Sequence, residues 1–168
     1  MRLETSIYNA LNNQMAMEYA ASNIYLQMAA WAEAQDLTGC AKFLHEHAEE
    51  ERQHMRKIFD YILERGGEPR LQAVPQPPYA YTNVKHLFDK VYEEEKAVTD
   101  AIDTIAHHAW ENKDLATFSF LQWFIEEQRE EEALATEIVG KINLIGLDGQ
   151  GVYMIDEFVG GLVDREDA

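Results

Sequence analysis

Phe88 to Ala109 reads FDKVYEEEKAVTDAIDTIAHHA, and Phe88, Val91, Glu95, Val98, Ile102, Ile105 and Ala109 recur at spacings of three and four. That period keeps one face of a helix turned inward. Every residue on the face is apolar except Glu95. Three further stretches carry the same period, so helices are predicted over about 6–34, 39–65, 84–111 and 115–144, with a shorter one near 152–163. None contains proline. Long helices approaching thirty residues, against a usual mean of about twelve, suit an all-α four-helix bundle. Thr5 or Ser6, Thr38, Asn83 and Asp114 stand as N-caps, and Gly66 as a C-terminal stop.

The breaks near Gln35 and Asn112 are short, whereas the connection 66–83 is long and holds Pro69, Pro75, Pro77 and Pro78. A thirty-residue helix is about 45 Å long, and about seventeen extended residues reach about 55 Å. The connection therefore spans the bundle, making the second and third helices parallel: one long crossover, with a short fifth helix at the C-terminal end. One domain, 1–168, is expected, since composition does not shift along the chain.

Thirty-one acidic residues against fourteen basic give a net charge of −17. That balance repels nucleic acid and anionic membranes and attracts small cations. Cys40 is the only cysteine, which excludes an intrachain disulfide, a Cys-x-x-Cys metal site and a thiolate-held cluster. The first twenty residues include Glu4, Asn12, Gln14 and Glu18 and form neither a signal-peptide core nor a membrane span. A cytoplasmic protein is expected.

The same inward reading gives Leu11, Glu18, Tyr25 and Ala32 on the first helix, and Leu44, His47, Glu51, His54, Ile58 and Tyr61 on the second. On the fourth it gives Phe120, Phe124, Glu127, Glu131, Leu134 and Ile138. Each long helix is thus expected to carry an acid inside. A buried unpaired carboxylate costs several kcal/mol, while net stability is only about 5 to 15 kcal/mol. No Lys or Arg lies on these stripes, so a cation site is the economical solution. Many oxygens with one imidazole suit iron or manganese. Glu51-x-x-His54 matches the di-metal carboxylate pattern of bundles, but Glu127-x-x-Glu130 lacks a second histidine, making the two metals inequivalent.

At these residues, from about residue 5 to the last helix, the chain resembles the non-haem bacterial ferritins. The resemblance rests on Met15-Ala16-Met17-Glu18-Tyr19, Glu49-Glu50-Glu51-Arg52-Gln53-His54, Glu95, and Phe120-Leu121-Gln122-Trp123 leading to Glu127-Gln128-Arg129-Glu130-Glu131. It implies a ferritin-like bundle in which Glu18, Glu51 and His54 hold one iron, Glu51 bridges, and Glu95 with Glu131 holds the second. Gln128 would lie close by and Tyr25 beside the pair. It also implies a third, weaker iron site onto which Glu50, Glu127, Glu130 and Glu131 map.

The implied activity is a ferroxidase that oxidises Fe(II) with O2 or H2O2 and stores a ferric mineral in a homo-oligomeric 24-subunit cage. Bacterioferritin is a near competitor, but its second Glu-x-x-His is absent and Arg52 stands where its haem-ligating methionine would be; no haem is expected. Met17 and Met55 are read as packing residues, and His107 and His108 as surface. Two other readings stay open: a di-iron or di-manganese oxidase without storage, and a helical binding protein whose inward acids are protonated or hydrated.

Overall fold

The computed structural model describes residues 3–166, with side chains as far as Val163; residues 1–2 and 167–168, the ends of the expected 1–168 domain, lie outside the described residues. The chain forms α1 (Thr5–Ala34), α2 (Thr38–Glu64), α3 (Val84–Glu111), α4 (Leu115–Ile145) and α5 (Gly149–Glu166), with no strand among the described residues. The fifth helix is longer than the sequence predicts. Its start is masked by Gly149 and Gly151, yet Asp148 caps it, its carboxylate accepting from Gly151 N at 2.7 Å.

Asn83 and Asp114 cap α3 and α4 as expected, accepting from His86 N at 2.9 Å and Thr117 N at 3.1 Å. Two expected caps are corrected. Glu4, not Thr5 or Ser6, caps α1 by accepting from Ser6 N and Ile7 N. Neither Thr38 nor the capping-position Leu37 offers α2 a side-chain bond. Asp156 of α5 does so instead, accepting from Gly39 N at 3.1 Å and Cys40 N at 2.8 Å. The two helices can approach because Gly39 faces Gly160: a Cβ on Gly39 would lie 2.2 Å from the Asp156 carbonyl oxygen, and one on Gly160 2.8 Å from the Gly39 Cα. Gly66, at φ +73°, ends α2 in the left-handed conformation glycine tolerates best.

The crossover follows α1. Tyr8 donates to the Glu68 carbonyl at 2.6 Å, Asn12 accepts from Arg70 N at 2.7 Å, Gln72 donates to Asn13 at 3.0 Å, and Tyr81 meets the Trp31 ring at 5.8 Å. Ser6 touches His108 and Tyr25 touches Glu95, so α1 and α3 run antiparallel. Tyr61 meets Thr117 while His47 meets Glu131, so α2 and α4 do as well. With α1 and α2 joined by a tight turn, α2 and α3 are parallel.

Apolar packing divides into two parts. One gathers Phe43, Phe88 and Ile138 with Ile155 and Val159 of α5. The other gathers Ile7, Leu11, Ile58, Ile102 and Phe124. Between them lies a buried layer of Glu18, Glu51, His54, Glu95 and Gln128.

The inward faces of α1, α2 and α3 are those the sequence predicts. On α4 the phase differs: Thr117, Leu121, Phe124, Gln128, Ala135 and Ile138 face in. Glu127 and Glu131 stand at the margin, with side chains 32% and 12% exposed. The polar group that α4 contributes to the buried layer is therefore the Gln128 amide rather than a carboxylate.

Candidate metal centre

Glu18 projects from the middle of α1, and Glu51 and His54 stand one turn apart on α2. One ligand atom from each falls within 4.8 Å of the others. His54 Nδ1 lies 3.6 Å from Glu18 Oε2 and 3.4 Å from Glu51 Oε2, and none of the three atoms has a hydrogen-bond partner among the described residues. Buried polar atoms are normally satisfied. Three converging atoms left without partners, two of them carboxylate oxygens, form a donor set that could hold a divalent cation.

The surroundings fix these side chains. Gln14, one turn before Glu18 and equally buried, donates to Glu18 Oε1 at 2.7 Å and leaves Oε2 to face His54. The His54 ring packs edge-on against Trp123 at 5.3 Å and Phe124 at 5.9 Å. Glu95 enters from α3 with both oxygens engaged, one accepting from the Tyr25 hydroxyl and the other from Gln128 Nε2 at 3.0 Å.

Charge is shared unevenly. Burial pushes the Glu51 carboxyl well above the usual range, and Glu18 and Glu95 add to this against the opposing pull of His54. Burial alone would also raise Glu18, but contacts with His54 and Glu51 outweigh it and hold Glu18 low. For His54 burial acts downward, and its neighbours Glu18 and Glu51 nevertheless lift it to about 11. Burial and mutual contact therefore oppose ionisation of Glu51 while favouring the carboxylate form of Glu18 and the protonated form of His54. Glu95 is raised to about 7 by burial and then by Glu131, despite the bonds from Tyr25 and Gln128. The Tyr25 hydroxyl, raised by burial and by Glu95, stays a donor.

Glu50, Glu127, Glu130 and Glu131 line an open cleft of about 550 Å³ between α2 and α4. Burial, followed by Glu130 and Glu131 working against His54, raises Glu127. The structure brings Glu131 closest to His47, with Nε2 and Oε2 3.2 Å apart; His47, Glu50 and Glu131 also place one ligand atom each within 4.8 Å. His47 is a second imidazole that the structure places beside the acids of the cleft. Its place on the inward stripe was legible, but its partner across α4 was not. Gln14 was missed too, although its spacing of four from Glu18 was a usable signal. His107 is exposed and pairs with Glu111, and His108 contacts Ser6, both away from the centre.

Residues 8–145 match the family model described as a ferritin-like domain. The chain is 43% identical to a probable bacterial non-heme ferritin-like protein of Haemophilus influenzae, over 95% of this chain and 97% of that one. It is 41% identical to a bacterial non-heme ferritin of Escherichia coli, over 92% of this chain and 94% of the other. An open pore ferritin from the archaeon Archaeoglobus fulgidus superposes with a TM-score of 0.91 at 37% identity, covering 94% of this chain and 96% of its own.

Proposed function

Because the chain belongs to the ferritin family of iron-storage proteins, we propose that it is a ferroxidase, oxidising Fe(II) at a di-iron centre and storing the product as a ferric mineral inside a 24-subunit cage. The reading is carried by Glu18 Oε2, Glu51 Oε2 and His54 Nδ1, converging in the core without hydrogen-bond partners.

In this reading Glu18, Glu51 and His54 take the first Fe(II), and Glu51 reaches across to the second, shared with Glu95 and Glu131. Tyr25 and Gln128 hold Glu95 in place, and Gln14 holds Glu18. Entry of the dication releases the protons that the ligand atoms carry, since only their deprotonated forms coordinate. Each Fe(II) then gives up one electron. The two electrons, with two protons, convert O2 to H2O2, or H2O2 to two waters, so that no one-electron oxygen product escapes. Fe(III) leaves through the acidic cleft of Glu50, Glu127, Glu130 and Glu131, which serves as the third, weaker iron site. No haem takes part. No helix among the described residues is long and apolar enough to cross a membrane, and a cytoplasmic setting completes the proposal.

Anaerobic Fe(II) titration followed by oxygen tests it. Stoichiometric Fe(II) binding, fast oxygen uptake, and a large particle that accumulates many iron atoms per chain are expected. Oxidation without accumulation would point instead to an oxidase, and absence of stoichiometric binding would overturn the centre altogether.

A further inference from the structure

The two ring nitrogens of His54 meet different surroundings. Nδ1 is buried and converges on Glu18 Oε2 and Glu51 Oε2. The ring also lines an open pocket of about 520 Å³, and with Nδ1 buried it is another edge of the imidazole that reaches it. Nε2 lies 4.0 Å from Glu127 Oε2, and Glu127 lines the same pocket. That separation is too long for a hydrogen bond. A small turn of the Glu127 side chain, which is 32% exposed, would close it.

Three residues of α4 address this one ring. Trp123 and Phe124 meet it edge-on at 5.3 and 5.9 Å, and Glu127 follows Trp123 by one helical turn. Lys57 of α2 covers the Trp123 ring in turn, its Nζ 4.1 Å from the centroid. These aromatic contacts hold the ring plane but do not choose its tautomer. An imidazole that gives the Nδ1 lone pair to a metal carries its proton on Nε2. That N–H then needs an acceptor. A carboxylate in this place is a usual partner of a metal-ligating histidine, fixing the tautomer and raising the basicity of the ligand nitrogen.

We propose that Glu127 is a positioning residue for His54, its carboxylate accepting the Nε2–H when Nδ1 coordinates the first metal ion. The assignment rests on the reading of Glu18, Glu51 and His54 as the ligands of that ion. It gives Glu127 a task at the first position besides its place in the cleft. The chemical consequence is that the first ion requires of residue 127 an acceptor atom and not a charge, so an amide can stand in for the carboxylate there.

The test uses Zn(II), a redox-inert probe, on the assembled protein. Crystals loaded with Zn(II) should show, by anomalous scattering at the zinc edge, an ion about 2.0–2.1 Å from His54 Nδ1. In the same crystals Nε2 and a Glu127 oxygen should have closed from 4.0 Å to about 2.7–3.2 Å. In calorimetry, Glu127→Leu should weaken the first Zn(II) step about tenfold, the low end of the range for losing such a partner, because water can reach so exposed a position. Glu127→Gln, which keeps an acceptor and loses the charge, should recover most of that affinity. Glu130→Ala removes an equal charge from the same cleft and should leave the first step as it is. An unchanged first step in Glu127→Leu, an equal loss in Glu127→Gln or Glu130→Ala, or zinc on His54 with Glu127 still about 4 Å or more away overturns this assignment alone. No zinc bound to wild type at Glu18, Glu51 and His54 overturns both this assignment and the reading it rests on.

Discussion

The Gln14 amide nitrogen donates to Glu18 Oε1 at 2.7 Å, and Glu18 Oε2 is thereby left to face His54. The amide can be oriented only this way, because its oxygen would repel the carboxylate. Gln14 thus decides which oxygen of Glu18 faces His54.

Replacing Gln14 with Leu keeps the bulk but removes the donor. The first Zn(II) or Fe(II) bound should be weakened about tenfold to a hundredfold, the range seen when the hydrogen-bond partner of a ligand is lost, with helix content by circular dichroism unchanged. An unaltered first binding step would show that Glu18 needs no such support.

Glu18→Ala and His54→Ala each delete a proposed ligand of the first iron. Both should remove the fast phase of Fe(II) oxidation, a fall in initial rate of at least about tenfold, while particle size stays that of wild type. Glu130→Ala lies at the open cleft, where Glu130 is exposed. It should keep the first fast phase and change only later turnover or the ratio of oxygen consumed to iron. Equal losses in Glu130→Ala and His54→Ala would contradict the division between pair and third site.

Glu95 links pH to stability in the metal-free protein. Its carboxyl is raised from 4.5 to about 7, so the folded state favours the protonated form. This contribution is fully present below pH 4.5 and is lost as pH rises through about 7, a swing of about 3 kcal/mol at 1.36 kcal/mol per pH unit. Glu95→Gln cannot titrate. Its melting temperature relative to wild type should therefore climb between pH 4.5 and 7 and then level off, ending above wild type. Added Zn(II) should raise wild type more than the variant, since metal relieves the ionised carboxylate only where one exists. A difference that stays flat with pH would remove Glu95 from the strained set.

Asp156 and the Gly39–Gly160 crossing can be tested away from the metal. Asp156→Ala leaves Gly39 N and Cys40 N without their acceptor, a loss of about 1–2 kcal/mol, or roughly 2–8 °C in melting temperature for a chain of this size. Gly39→Ala should cost more, because its Cβ would meet the Asp156 carbonyl oxygen at 2.2 Å and α5 must move. Metal binding should survive both changes; loss of Zn(II) stoichiometry in Asp156→Ala would mean that α5 shapes the centre as well.

Legibility in the sequence followed contrast. On α3 the inward face was unmistakable because Glu95 interrupts Val91, Val98 and Ile102, and apolar burial fixes the rotation of the helix. On α4 the run from Glu126 to Glu132 is entirely polar, so a face through Glu127 and Glu131 could not be told from one through Gln128. Only packing of Phe124 and Ala135 settles it. The crossover could be read from its prolines and reach, but its path along Tyr8, Asn12 and Asn13 depends on hydrogen bonds that no periodicity encodes. The cap on α2 was invisible for the same reason: its acceptor lies 117 residues from Gly39.

That separation also sets an order in time. Chains are synthesised at about 5–20 residues per second, so on the order of ten seconds pass between the appearance of Gly39 and that of Asp156. Throughout that interval the leading turn of α2 has been synthesised while its acceptor does not yet exist. Cys40, fully enclosed in the finished molecule beside Ile155 and Val159, is then open to oxidants and to neighbouring nascent chains. Arrival of α5 closes the turn and shields the thiol in one event, so the rate at which Cys40 becomes unreactive in a translating chain reports the moment the fold is completed.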